Sequence, residues 1–210
     1  MTKKELVIEV IERLKKEYPK AECTLLYDEP WKLLVEVRLA AQCTDERVNV
    51  VVQDLYKKYP TVEALANATP EAIEVIVKPC GLGKSKAKDI HACMCILHEK
   101  YDGQIPDDFD KLLELPGVGR KSANLIMGDI FHKPAIVTDT HCIRLCNRIG
   151  LVKDIKEPKK VEMALWKIVP PEEGSDLCHR FVMHGRAVCS ARKQPDCEHC
   201  CLKDICRKHV

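Results

Sequence analysis

The sequence predicts an all-α fold. Apolar residues recur at helical spacing in one segment after another, and no stretch sustains the strict alternation that indicates a half-buried strand. Short breaks at glycine or proline separate these segments. With 210 residues, of which 46% are hydrophobic, the chain is long enough to bury an adequate core.

The helical segments can be followed in order along the chain. The first carries an apolar stripe and ends near Tyr18-Pro19, and the second, more buried one begins at Pro30 and continues through PWKLLVEVRLAAQ. Further helices are predicted over 46–58, 61–66, 71–77 and 84–101. Three later segments at helical spacing are DTHCIRLCNRIG, PKKVEMALWKIV and EGSDLCHRFVMHGRAV.

The stretch LELPGVGRKSANLI predicts a helix-hairpin-helix. A short helix over 110–115 and a second helix from Arg120 enclose a tight turn made of Pro116, Gly117, Val118 and Gly119. Glycines can take positive φ and let backbone N–H groups approach a phosphate closely, while the start of the second helix adds partial positive charge. A nucleic-acid backbone is the natural ligand, and an ordinary helix–turn–helix connection is the alternative.

Overall charge gives no sign of a nucleic-acid ligand. The chain has 34 basic and 32 acidic side chains, a formal net charge of +2, so any such site must be local. The stretch KPCGLGKSKAK contains no acid and predicts a basic face suited to phosphates, although a solvated helix start would look similar. Its basic residues are Lys78, Lys84, Lys86 and Lys88.

No feature of the sequence predicts contact with a membrane. No apolar run approaches the roughly 20 residues of a membrane span, and the opening Met-Thr-Lys-Lys-Glu predicts an amphipathic helix rather than a signal peptide. We therefore expect an intracellular protein without a membrane partner, cytoplasmic if its source is prokaryotic. Separately, we expect a monomer.

The thirteen cysteines fall into two groups. An odd number without a secretory signal argues against a disulfide framework, and eight of them lie where a free thiol packs as a small apolar residue. Four more, with spacing C-x7-C-x2-C-x5-C, predict a four-thiolate metal site for zinc or a [4Fe-4S] cluster, and Cys201 is the thirteenth. These four are Cys189, Cys197, Cys200 and Cys206.

Two further features of this terminal segment bear on its function. Cys201 could substitute in the metal site, and His199 is a possible zinc ligand, although a packing thiol and a solvated loop residue are the simpler interpretations. Basic residues outnumber acidic ones here, which suits contact with a DNA backbone. The basic residues are Arg186, Arg192, Lys193, Lys203, Arg207 and Lys208, and the acidic ones are Asp196, Glu198 and Asp204.

The segments LPGVGRKSAN, VTDTHCIRLCNRIG and the four-cysteine loop together resemble the endonuclease III family of DNA glycosylase/AP lyases. RLAAQCTDERVN and GLGKSKAKDI are similar to family segments that line the DNA-facing groove. The resemblance runs almost end to end and implies a [4Fe-4S] cluster rather than zinc. The first cysteine interval is one residue longer than the common family pattern, so the loop assignment is looser there.

The resemblance also implies an architecture and a partner. It implies a six-helix domain over 23–133 and a second domain that joins 1–22 to 134–210, with the cluster loop at 189–206 and a DNA-binding groove between the domains. The partner would be duplex DNA containing damaged pyrimidines or abasic sites. In a prokaryote such a protein would associate with the nucleoid.

Lys121 and Asp139 match the catalytic positions of the family. Lys121 would attack the anomeric carbon of the damaged nucleotide and form a Schiff base, and only its free amine can do so, so the site must favour the neutral form. Asp139 would stabilise charge on the sugar or shuttle protons. The simpler interpretations are an exposed lysine in a first helical turn and an ordinary helix N-cap.

A base inside a duplex must be flipped out before it can be excised, and the gap must then be filled. Gln42 and Leu82 match the gap-filling positions of the family, and Lys84 would contact the backbone beside them. Asp45 and His141 are candidates for the base pocket. On bare sequence, Gln42 is also readable as a helix-end residue and Leu82 as a half-exposed packing residue.

Three functions remain open at this point. They are a bifunctional glycosylase/lyase, a monofunctional mismatch glycosylase of the same superfamily, and a non-catalytic, metal-stabilised DNA-binding module. Lys121 favours the first over the second, because the mismatch-type relatives lack that lysine. A binding module has no need of Lys121 and Asp139 together, and an electron-transfer ferredoxin would not need a hairpin-bearing helical body.

Overall fold

The computed structural model describes residues 1–20 and 22–207, and within them the chain is all-α, as predicted. The described residues contain eleven α-helices and two 3₁₀ turns but no strand. The helices are α1 Lys3–Glu17, α2 Pro30–Leu39, α3 Asp45–Lys58, α4 Val62–Ala66, α5 Pro70–Val77, α6 Gly83–Tyr101, α7 Phe109–Leu113, α8 Arg120–Asp129, α9 Thr140–Ile149, α10 Pro158–Leu165 and α11 Gly174–Ala187. In these residues no helix is both long enough and apolar enough to cross a membrane. Lys208, which we expected near the DNA backbone, lies outside the described residues.

Local sequence explains where most of the helices begin. Six of them have a threonine or aspartate N-cap whose side chain accepts a hydrogen bond from a backbone N–H of the first turn, which satisfies a donor that has no partner inside the helix. These caps are Thr2, Thr44, Thr61, Thr69, Asp108 and Asp139. At α1 the side chain of Glu5 also accepts from the N–H of Thr2, which completes a capping box.

One compact unit comprises residues 23–131 and contains α2 to α8. Helix α6 lies at its centre and packs against α2, α4 and α5, while α8 packs against α2 and α7. We expected six helices over 23–133. The structure instead has seven in the described residues of this unit, because α4 and α7 are separate five-residue helices, and the unit ends at residue 131.

The other unit joins residues 1–22 to residues 132–210. Its described helices are α1, α9, α10 and α11, and α11 packs against both α1 and α9. Fully buried Val7, Leu14 and Phe181 belong to its core. This unit carries the four cysteines of the predicted metal site.

Two predictions in the first half of the chain are wrong. The helix expected through PWKLLVEVRLAAQ ends at Leu39, and Gln42 has a φ of 59° that no α-helix allows. Lys86, expected on a basic face, is fully buried. Its exposed neighbours Lys84 and Lys88 retain the solvent position that the sequence predicts.

Candidate active site

The hairpin turn between α7 and α8 depends on Gly117. This residue has a φ of 78°, and a Cβ atom placed on it would lie 2.7 Å from Cδ of Arg38 and 3.0 Å from Cβ of Asp89. Both the backbone conformation and the close contact therefore favour glycine over any other residue. A substitution would strain the turn and displace the side chain of Arg38.

A partly buried ion pair between Arg38 and Asp89 lies next to Gly117 of the turn. Nη2 of Arg38, on α2, lies 2.6 Å from Oδ2 of Asp89, on α6, and donates to Oγ of Ser85 at 3.2 Å. Sequence reasoning missed this pair because its members are far apart in the chain and neither belongs to a recognisable motif. Arg38 and Asp89 thus form the surface against which Gly117 of the hairpin packs.

Gly119 serves a different purpose from Gly117. It is the N-cap of α8 with a φ of −100°, which any residue can adopt, so only Gly117 of the two uses the positive φ that glycine allows. A Cβ atom there would meet open space, and no side chain caps the helix. The first N–H groups of a helix have no acceptor within the helix itself.

Arg120 and Lys121 begin α8. The guanidinium carbon of Arg120 lies 4.9 Å from the ring centroid of Phe109, on α7, so the arginine stacks across the hairpin. Lys121 is exposed and occupies the second position of the helix. The structure therefore brings Lys121 together with Pro116, Val118 and both glycines.

Asp139 belongs to the other unit, where it is the N-cap of α9. Its Oδ1 accepts a hydrogen bond of 2.7 Å from the backbone N–H of Cys142. The carboxylate is half-buried, and this cap bond does not use its second oxygen. The simple N-cap interpretation is therefore correct, and it leaves an oxygen for chemistry.

Gln42 and Leu82 share an unusual backbone conformation. Their φ angles are 59° and 49°, in the left-handed region where a non-glycine residue costs about 1–3 kcal/mol. Both are exposed, Leu82 by 57%. Lys84, also exposed, follows Leu82 in the first turn of α6. Strained, exposed residues of this kind cluster at functional sites.

The two pocket candidates make contacts within their own units. Asp45 begins α3 and accepts a hydrogen bond from the hydroxyl of Thr24. Nδ1 of His141 lies 3.0 Å from Nη2 of Arg144, and a Cβ atom on Gly185 would come within 2.4 Å of that nitrogen. His141 thus packs α9 closely against α11.

The four predicted metal ligands line one pocket in the cluster loop, 189–206. In residues 1–20 and 22–207, no three His, Cys, Asp or Glu side chains form a group that could hold a metal ion. His199 is 81% exposed and pairs with Asp196, and it does not line the pocket. The solvated-loop interpretation of His199 is therefore correct.

Two arginines of α9 hold the start of the cluster loop. Nε of Arg144 donates to the carbonyl of Cys189 at 3.1 Å. Nη1 of Arg148 donates to the carbonyl of Ser190 at 2.8 Å and to Sγ of Cys189 at 3.3 Å. Neither arginine carried a signal in the sequence, since basic residues on an amphipathic helix usually face solvent.

A second set of contacts reaches Cys200. Burial raises the pKa of Tyr18 to about 12, so its hydroxyl stays protonated and can donate to Nδ1 of His184 at 3.1 Å. Nε2 of His184 lies 3.4 Å from Sγ of Cys200. The pKa of Cys200 is lowered, chiefly because the thiol of Cys201 donates a hydrogen bond to it. Cys200 is therefore favoured as a thiolate, the form that binds metals.

The chain was compared with known proteins and solved structures. The model of the HhH-GPD superfamily base excision DNA repair protein matches residues 35–171. Endonuclease III of Synechocystis sp. is 42% identical over 206 residues, which are 98% of this chain and 93% of that protein. A non-covalent endonuclease III–DNA complex is 38% identical with a TM-score of 0.92, covering 99% of this chain and 97% of that one. A trapped endonuclease III–DNA covalent intermediate has the same identity, TM-score and coverage.

Proposed function

This chain belongs to the endonuclease III family of HhH-GPD base excision DNA repair proteins, and we propose that it acts on oxidised pyrimidines in duplex DNA. The family resemblance in the sequence motifs is thereby confirmed. The enzyme is a DNA glycosylase with AP lyase activity. It removes a base and then cleaves the strand at the abasic site.

Lys121 is our proposed nucleophile. Its amine attacks the anomeric carbon, the bond between base and sugar breaks, and the base leaves with its bonding electrons. The lysine nitrogen then loses a proton, and the sugar ring opens as the C1′–O4′ bond breaks and O4′ takes up a proton, which leaves a protonated imine that makes the C2′ proton acidic. Loss of that proton breaks the bond to the 3′ oxygen, and water then releases the lysine. Its exposed position at the start of α8 supports this role.

Asp139 is our proposed partner in the chemistry. A carboxylate near the sugar would stabilise the positive charge that develops as the base departs, and it would accept or return a proton. The cap bond from Cys142 fixes the orientation of the carboxylate. A carboxylate held in this way pays little orientational entropy during the reaction.

The observation that carries the proposed function is the start of α8. The helix begins without a side-chain cap, at Gly119, whose Cβ position is open space, and Lys121 follows two residues later. Backbone N–H groups so placed bind a phosphate, and a phosphate bound there delivers the neighbouring sugar to the lysine. We propose that Pro116 to Arg120 bind the DNA backbone in this way, with Lys84 as a further phosphate contact.

Gln42 and Leu82 are our proposed gap fillers. A polar side chain can hydrogen-bond an orphaned base, and an apolar one can stack on its neighbours. Their exposure and left-handed backbones support this role. Asp45 and His141 remain candidates for contact with the extruded base.

We also propose that Cys189, Cys197, Cys200 and Cys206 hold a [4Fe-4S] cluster. A cluster takes one thiolate on each iron, so its ligands do not have to meet at a single ion. Four thiols lining one pocket, one of them favoured as a thiolate, fit this donor set. The group would tie the cluster loop together, and no step of the base removal requires it.

The proposed function is tested with three duplexes that carry one thymine glycol, one abasic site or one mismatch. We expect cleavage of the thymine-glycol and abasic duplexes and no cleavage of the mismatch duplex. We also propose that the chain acts as a monomer. Excision from the mismatch without strand cleavage would instead indicate the monofunctional alternative. Binding without reaction on any duplex would indicate a DNA-binding module.

A further inference from the structure

The loops that carry Gln42 and Leu82 are joined by one buried side chain. Lys86 is fully buried, and its Nζ donates to the carbonyl of Leu39 and to the carbonyl of Cys80, each at 2.8 Å. Leu39 is the last residue of α2 and lies three residues before Gln42 in the chain. Cys80 ends the 3₁₀ turn that leads into Leu82.

A buried ammonium is rare and needs compensation. The end of α2 supplies a first acceptor for this ammonium, because the last carbonyls of a helix lack intrahelical partners and carry partial negative charge. The carbonyl of Cys80 supplies a second acceptor. Lys86 therefore satisfies one carbonyl from each of two loops that are distant in sequence.

The backbone N–H of Lys86 donates to the carbonyl of Leu82 at 3.0 Å, which is the first intrahelical hydrogen bond of α6 and places Leu82 at the N-cap of the helix that carries Lys86. Both loops then take a positive φ a few residues from these contacts, at Gln42 and at Leu82. Such conformations persist only when the surrounding structure imposes them. The side chain of Lys86 contacts both loops, and the thiols of Cys43 and Cys80 also interact across them.

We propose that Lys86 is a positioning residue that sets the separation and orientation of Gln42 and Leu82, and so governs base extrusion. This inference rests on the proposed gap-filling role of those two residues. Lys86 itself touches neither substrate nor the reacting atoms. Its loss should impair removal of a stacked base far more than cleavage of an abasic site, where no base has to be extruded.

The test compares Lys86→Met with the wild type in single-turnover reactions on a thymine-glycol duplex and on an abasic duplex. Methionine keeps a long, unbranched side chain without the donors. We expect base excision to fall about tenfold or more, because two charge-assisted hydrogen bonds are lost, and abasic cleavage to fall less than about threefold. Lys100→Met, an exposed lysine of the same helix, is the matched control and should change neither rate.

A double-mutant cycle separates positioning from general stability. Once Leu82→Ala has removed the apolar filler, Lys86→Met should lower excision much less than it does alone, because residues that act through one another are not additive. Additive losses would overturn the proposal. If Lys86→Met does not unfold cooperatively, Lys86→Gln, which retains an N–H donor, should show the same selective loss in weaker form.

The outcomes distinguish this inference from the proposed function. A wild-type protein that acts on neither duplex contradicts the proposed function itself. An active wild type whose Lys86 variants lose both activities equally contradicts only the positioning role.

Discussion

Gln42 and Leu82 both adopt a backbone conformation that ordinary side chains avoid, and both are exposed at the end of a tightly held loop. Neither feature benefits folding, because strain costs free energy and an exposed leucine buries little apolar surface. The proposed role in filling a vacated base stack accounts for both features.

Truncating either side chain should therefore weaken base extrusion. For Gln42→Ala and for Leu82→Ala we expect excision of thymine glycol to fall by roughly one to two orders of magnitude, because unstacking costs a few kcal/mol that the filler offsets. Abasic cleavage should suffer much less. Single-turnover rates on both duplexes provide the measurement.

Leu26→Ala is the matched control, since Leu26 is 71% exposed in the same unit and is assigned no role. Its rates and melting temperature should equal those of the wild type. Equal losses in both reactions for the Gln42 and Leu82 variants, or a large drop in their melting temperatures, would mean that these residues support the fold instead.

Glu36 provides a prediction about stability. It is fully buried, its Oε1 accepts from the hydroxyl of Tyr56 at 3.2 Å, and its Oε2 has no hydrogen-bond partner. Burial raises the pKa of Glu36 from 4.5 to about 7, an effect that the Tyr56 hydrogen bond only partly offsets. The folded protein therefore holds this proton more tightly than the unfolded chain, and stability falls as pH rises from 4.5 towards 7.

Glu36→Gln removes the charge penalty but keeps the shape. We expect the variant to melt above the wild type at pH 8, by about 2–4 °C for each kcal/mol relieved, and the advantage to shrink towards pH 5. Thermal melts at both pH values measure this, with exposed Glu99→Gln as the control. An unchanged difference between the two pH values would refute the assignment.

At the scale of elements, the two glycines of the hairpin have different structural roles. Gly117 combines positive φ with a close approach to Arg38, whereas Gly119 has an ordinary backbone and open space around it. Gly117 therefore contributes to the stability of the turn, whereas Gly119 leaves its own Cβ position at the start of α8 open.

The two alanine variants should separate these duties. Gly117→Ala must displace Arg38 and strain the turn, so we expect a loss of roughly 1–3 kcal/mol of stability together with weaker DNA binding. Gly119→Ala should leave stability unchanged or slightly higher while weakening binding, because a methyl group then occupies the open space at the start of α8. Chemical unfolding and DNA titration measure the two effects. Equal stability losses would contradict this division.

The sequence predicted the helices well where the signal is local. Thr44 and Thr69 mark helix starts because the cap and its N–H partner are three residues apart. The end of α2 was missed because its last turn is held by Lys86, from a helix that begins more than forty residues later. The Arg38–Asp89 pair escaped notice for the same reason, since nothing in either local sequence indicates a partner.

At the scale of the whole molecule, the cluster loop is held by contacts as well as by its cysteines. Arg144 and Arg148 bind its first residues, and buried Leu202 anchors its end. The loop contributes little apolar core of its own, so loss of a bound cluster should loosen it more than the rest of the chain.

We expect the purified protein to be yellow-brown and to contain iron. Cys200→Ser should lose iron and weaken DNA binding through unfolding of the loop, whereas Cys201→Ser should retain iron, because only Cys200 is assigned as a ligand. Iron analysis and visible absorption of both variants provide the measurement. An active, colourless protein that contains zinc would contradict the assignment.

The central claim is that Lys121 attacks the sugar and forms an imine, which borohydride reduces to a stable protein–DNA adduct. Trapping is measured on a thymine-glycol duplex with the wild type and with Lys121→Gln, and binding of both proteins is measured without reductant. We predict an adduct with the wild type and none with Lys121→Gln, although the variant still binds the duplex. An adduct of normal yield with Lys121→Gln would show that another amine is the nucleophile.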